Sequence, residues 1–145
     1  MASSPTLTVR PADWGQDGER CLAIRRQVFI EEQQIDPEIE IDGQDPDCAH
    51  ALASLADQDV GTGRLLPDGR IGRVAVLPAW RGQGIGEALM DCLIALARDQ
   101  GHQQVRLAAQ ESAFRFYLRL GFAFVGEPFF EAGIRHQRMQ RAIDE

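Results

Sequence analysis

The residues with the clearest chemical potential are Arg81-Gly82-Gln83-Gly84-Ile85-Gly86, an arginine followed by glycines at alternate positions. Glycine leaves backbone N–H groups uncovered and reaches conformations closed to other residues. The amides that open a helix lack intrahelical partners and sit at the positive end of its dipole, so such a turn at a helix start is a seat for an anion, phosphate above all. The flanking elements are in place. Val74 to Leu77 is a short apolar run of strand type that Pro78 stops. From Gly84 to Gln100 the residues Ile85, Ala88, Leu89, Cys92, Leu93 and Leu96 share one helical face, and Gly101 follows as a C-terminal cap. A tight turn without a ligand is the plainer alternative.

The rest of the chain supplies the framework. Thr6 to Arg10 alternates as a first strand ended by Pro11, and Gly18 to Gln33 carries Cys21, Leu22, Ile24, Val28 and Phe29 at helical spacing. Ile35 to Asp47, with Pro37, Gly43 and Pro46, reads as a surface loop or broken helix. Ala49–Ala56 and Val60–Leu66 suit a hairpin turning at Asp57-Gln58-Asp59, and Arg70–Leu77 is the third strand of that meander. Gln104–Ala109, reached through a helix, is expected to run parallel to Arg70–Leu77. Ser112 caps a short helix, Ala113–Leu120, and Phe122–Gly126 and Ile134–Arg141 close the fold through Pro128 and Gly133. The order β-α-β-β-β-α-β-α-β-β, with antiparallel strands before one parallel crossover, predicts a single α+β domain spanning residues 1–145.

Composition narrows the partners. A chain of 145 residues buries about 68% of its unfolded surface and needs neither disulfide nor metal. Cys21, Cys48 and Cys92 lack any C-x-x-C pattern and read as reduced thiols, with no metal site. A net charge of −7 opposes nucleic acid, and no apolar run is long enough to span a bilayer. Met1-Ala2-Ser3-Ser4-Pro5 has neither the basic nor the apolar region of a secretory signal, so the cytoplasm is the expected compartment. All 15 basic residues are arginine.

Spelling decides which phosphate. A dinucleotide loop, G-x-G-x-x-G, fails because Glu87 or Leu89 stands where the third glycine belongs, and a Walker loop needs the lysine this chain lacks. Arg81-x-x-Gly84-x-Gly86 after a Val-x-Val strand instead resembles the acetyl-CoA pyrophosphate loop of the GNAT superfamily of N-acetyltransferases. Ala113-x-x-Phe116-Tyr117-x-x-x-Gly121-Phe122 resembles the second conserved block of that family. The segments Val28-Phe29-Ile30-Glu31-Glu32-Gln33, Glu40-Ile41-Asp42-Gly43-x-Asp45 and Glu131-Ala132-Gly133-Ile134-x-His136 resemble a narrower, ElaA-like branch.

The resemblance implies a mostly antiparallel mixed sheet splayed at one parallel pair, and direct transfer of an acetyl group from acetyl-CoA to the amine of a small molecule or peptide. Backbone amides of Gly82, Gln83, Gly84, Ile85 and Gly86 would hold the pyrophosphate with Arg81 at the rim. Val74, Ala75 and Val76 would meet the pantetheine arm through their backbone, with the amide near Val76 aimed at the thioester oxygen and Gln110 as a side-chain contact. Tyr117, the chain's one tyrosine, would be the general acid beside the cofactor, against the alternative of an amphipathic core tyrosine. For the base, a carboxylate or imidazole working through water is expected, with Glu31, Asp42 and His136 the leading candidates and Glu32, Glu40 and Glu131 behind them. A histidine satisfied by a backbone carbonyl competes with the catalytic reading of His136. Glu31, Glu32, Asp36, Glu38, Glu40, Asp42, Asp45 and Asp47 follow one another without an intervening Arg or Lys, which suggests a negative wall attracting a cationic amine. Trp14, Trp80, Phe129 and Phe130 are candidates for an acceptor pocket or a dimer contact; the expected state is monomer or homodimer. A CoA-binding module without catalysis is the alternative.

Overall fold

The computed structural model describes residues 6–143; the N-terminal pentapeptide weighed above as a signal lies outside them. Strands β1 (Leu7–Ala12), β2 (Ala49–Leu55), β3 (Gln58–Leu65) and β4 (Ile71–Val76) form one antiparallel sheet in that order. Strands β5 (Gln104–Gln110), β6 (Ala123–Glu131) and β7 (Ile134–Ala142) form a second, in the order β5-β7-β6. The two sheets meet at one parallel bridge, Arg70 to Arg106, where the Arg106 amide donates to the Gly69 carbonyl at 3.2 Å. Beyond it β4 and β5 part, so the expected parallel pair exists at one end and is open at the other.

Side-chain alternation sends the two faces of the first sheet to two cores. Ala51, Ala53, Leu55, Val60 and Ile71 pack with Leu89, Met90, Leu93 and Ala97 of α3 (Ile85–Asp99). Leu52, Ala75 and Leu77 on the other face pack with Cys21, Ile24, Val28 and Phe29. These last belong to α1 (Trp14–Arg25) and to the π-type turn Arg26–Glu32 that continues it, in which the Gln33 amide reaches the Val28 carbonyl at 3.1 Å. Truncating a side chain as enclosed as Leu93 costs about 2–5 kcal/mol.

Several boundaries differ from the sequence reading. Helix α1 begins at Trp14 because Asp13 caps it, accepting from the Gly15 amide at 3.3 Å, while Gly18 lies under the Trp14 ring rather than starting the helix. Pro11 lies inside β1 and does not end it, which an edge strand allows. The β2–β3 hairpin turns at Ala56-Asp57, both at positive φ, the two-residue geometry whose twist matches the strands. The segment after residue 35 is not all loop: Asp36 caps a short helix α2 (Pro37–Glu40), accepting from the Glu38 amide at 2.9 Å. Ser112 does not cap α4 (Phe114–Arg119); it lies in a preceding turn of Glu111–Ala113, and no side chain caps that helix. Pro128 is within β6, at an irregular stretch of its pairing, and not in the connection. Among the described residues no helix is long and apolar enough to cross a membrane.

Candidate active site

The register of β3 and β4 explains the opening between the sheets. Thr62 faces Ala75 and Arg64 faces Gly72, so Arg73 and Val74 together oppose Gly63 in a bulge, with Arg73 at φ +52°. Past the bulge the Leu77 amide donates to the Val60 carbonyl at 2.9 Å. By antiparallel alternation the N–H and C=O of Val76 then point away from β3, toward the gap with β5. The Val76 carbonyl accepts from Arg81 Nε at 2.9 Å.

The gap opens into a cavity of about 420 Å³. Val74 of β4, Gln110 of β5, Tyr117 of α4, His136 of β7 and Asp42 all line it, so residues far apart in sequence share one space. Ala75, Val76, the Arg81–Gly86 turn and Glu31 do not line it. Ala75 is buried against Leu52 and α1, leaving only its backbone for any ligand.

At the start of α3 the glycine turn has the expected form. Gly82 and Gly84 adopt φ of +80° and +83° with open space where a Cβ would be, and Gly84 caps α3 without any side-chain hydrogen bond. Its first-turn amides are thus left to a ligand, and the turn fits a pyrophosphate. Gly86 serves packing as well: a Cβ there would meet the Phe116 ring at 3.2 Å. Arg81, expected to add charge at the rim of the turn, is ion-paired in this structure. It grips Glu32 with two bonds of 2.7 Å, which ties the turn to the end of α1.

Tyr117 packs edge-on against Phe116 and Phe122, with ring centroids 5.0 and 5.7 Å away. Burial pushes its hydroxyl up to about 12, so it is a neutral donor at ordinary pH. Gln110 is engaged by Gln33 in a reciprocal amide pair, one bond of 2.8 Å and one of 3.2 Å, that joins the residue after the π-type turn to the end of β5. Gln33 was visible only as part of a motif; its role depends on the π-type turn, which 3.6-residue periodicity cannot reveal.

The base candidates separate. Glu31 is exposed on that turn and does not line the cavity. Asp42 borders the cavity but is bonded to Arg64 at 2.5 and 3.0 Å, with Arg73 3.5 Å away. The Arg64 hydrogen bond holds its carboxyl far below the usual range, which removes it as a base. His136 remains. It is 9% exposed, stacks on Phe129 with centroids 5.5 Å apart, and its Nδ1 lies 2.7 Å from the Ile134 carbonyl. A carbonyl only accepts, so Nδ1 carries the hydrogen and Nε2 keeps a lone pair. The expected backbone-carbonyl partner of this histidine is thus present, and the ring lines the cavity as well. Glu131 lines the same cavity.

The negative wall is also corrected. Glu40 accepts from Arg25 Nε at 2.5 Å, and Asp45 accepts from Arg25 at 2.8 Å and Arg64 at 2.9 Å, all buried. His50, stacked on Trp14 at 4.3 Å, meets the Asp45 carbonyl at 2.9 Å, so Trp14 supports this cluster and does not line the cavity beside Tyr117. Trp80 packs against both cores, and Phe130 is 73% exposed. The carboxylates therefore neutralise arginines from α1 and β3, and removing one arginine would strand buried charge at a cost of about 3–5 kcal/mol. Among the described residues no three His, Cys, Asp or Glu stand together as metal ligands.

Comparison with known proteins agrees with this architecture. Residues 19–143 match the family model of the acetyltransferase (GNAT) domain. The chain is similar to the crystal structure of Escherichia coli ElaA, at TM-score 0.83 and 30% identity, over 92% of this chain and 99% of that one. It is similar to an acyl-CoA N-acyltransferase from Pseudomonas aeruginosa, at TM-score 0.80 and 34% identity, over 96% and 100% of the two chains. An uncharacterised N-acetyltransferase of Bacillus subtilis, YjcF, is 34% identical over 122 residues, 81% of this chain and 87% of that protein.

Proposed function

Because the chain belongs to the GNAT acetyltransferase family, we propose that it transfers an acetyl group from acetyl-CoA directly to a primary amine of a small molecule or peptide. The observation that carries this is the cavity between β4 and β5, which gathers Tyr117, Gln110 and His136 beside a strand whose Val76 amide faces the gap. The uncapped glycine turn at α3 suits the pyrophosphate, and the gap suits the pantetheine arm.

In this reading the amine nitrogen attacks the thioester carbon, a C–N bond forms and the C–S bond breaks. His136 Nε2 takes the ammonium proton, directly or through water, and the Val76 N–H steadies the carbonyl oxygen as charge builds on it. Tyr117 donates to the departing sulfur. A phenol near 12 is a weak acid beside a thiol of about 8.5, so its contribution is a positioned hydrogen bond, with solvent completing the protonation. No nucleophilic cysteine is needed.

The test is release of free CoA thiol from acetyl-CoA with a panel of amino acids, peptides and polyamines. Amine-dependent release is expected. Tight acetyl-CoA binding without turnover on any amine would instead make the protein a CoA-binding module.

A further inference from the structure

The acceptor side of the cavity is short of one anion. Arg64, Arg70 and Arg73 all line it. Both terminal nitrogens of Arg64 are bonded to Asp42 and Asp45, yet its Nε is buried with no partner. Arg73 donates only to the carbonyls of Ile39 and Glu40, at 3.1–3.3 Å, and stands 3.5 and 3.7 Å from Asp42 and Glu40, carboxylates already claimed by Arg64 and Arg25. Burial, and then the nearness of Arg64, press the Arg73 guanidinium below its ordinary value, against the pull of Asp42 and Glu40, which it shares with other arginines. The guanidinium of Arg70 makes no hydrogen bond or ion pair among the described residues, and Asp68, which feels its charge, is bonded to Arg106 at 2.9 Å. Arg73 also holds φ +52° on the bulge, strain of the kind that functional sites retain.

We infer that the acceptor is a carboxylate-bearing amine, an amino acid or a peptide with a free C-terminus, whose carboxylate is received by Arg70 in the field of Arg73. A guanidinium presents paired donors matched to a carboxylate. Glu40 and Asp42, the acids of that segment that line the cavity, are already paired with arginines, and Glu131 and His136 line the same cavity and are available to the amino group. The inference rests on the acetyl-transfer reading above, so its test has a catalytic and an equilibrium arm.

Leucine, phenylalanine, methionine and glycylglycine are each compared with their carboxamides, and with spermidine and tyramine, as acceptors at saturating acetyl-CoA. The acids are expected to show kcat/KM at least tenfold above their amides. Arg70→Gln is expected to raise KM for an acid about tenfold while leaving the acid and amide nearly equal, and Arg70→Lys to recover part of the preference. Amides or polyamines used as well as the acids, or an unchanged preference in Arg70→Gln, would overturn the inference. Should no amine be acetylated, the transfer reading fails separately. Calorimetry of the same acid and amide pairs against the CoA-saturated protein then decides: binding of acids alone, abolished by Arg70→Gln, upholds the anion seat, and binding of neither or both overturns it.

Discussion

Tyr117 has a proposed catalytic role and a thermodynamic signature that can be read beside it. Its hydroxyl titrates near 12 in the folded protein, against about 10 for a phenol in an unfolded chain. The folded state thus holds the proton more tightly, and the stability this confers is complete below pH 10 and is lost as pH climbs through 12. Tyr117→Phe should lower kcat roughly a hundredfold with little change in KM. It should also flatten the fall in Tm between about pH 10 and 12. Parallel melting curves for the two proteins would show a solvated phenol, and an unchanged kcat would remove the hydroxyl from the chemistry. Tyr117 was legible because its helix carries a family block and no other tyrosine competes. The fate of Asp42 was not: its partner Arg64 lies on another element, and only the fold reveals that a carboxylate is already spent.

Helix α1 shows how an element's start is fixed from outside its periodic stretch. Asp17 accepts two bonds from Arg10 of β1, at 2.9 and 3.1 Å, and one from the Asp13 amide at 3.0 Å, clasping strand to helix. The Arg10 bonds, and then the Asp13 amide, lower its carboxyl to about 2. A depressed carboxyl contributes stability above its unfolded value near 4, and that contribution disappears as pH falls to 2. Asp17→Asn should therefore cost about 1 kcal/mol at pH 7, discounted for the exposed Arg10, which is roughly 3 °C at this size, and converge on the wild type near pH 2. A constant difference at both pH values would assign the loss to packing. The sequence revealed α3 and the β2–β3 hairpin almost whole, because unbroken apolar periodicity marks both. It concealed the first turn of α1, because the apolar spacing begins only at Cys21 and the expected helix started at Gly18, and it concealed the π-type turn, whose period differs from the one sought.

At the scale of the molecule, two sheets share one bridge and a widening gap. A ligand lodged between them contacts both halves and binds only the folded chain. Acetyl-CoA at a hundred times its Kd should add about 2.7 kcal/mol, an upward shift in Tm of roughly 9 °C for a chain of this length. Absence of a shift would mean the gap does not receive the cofactor. The splay and the α+β order were expected from the sequence, whereas the charge of the acceptor side was inverted, since a run of acids in one segment says nothing about the arginines folded over it. Beside the cavity stands the Gln33–Gln110 pair, two primary amides each donating to the other. In a nitrogen-15 spectrum such side chains give paired proton resonances sensitive to every change in their hydrogen bonds. The protein therefore holds a native reporter on the lining of its cavity, one that needs no label beyond the isotope and responds to any change in the contact between the segment after the π-type turn and β5.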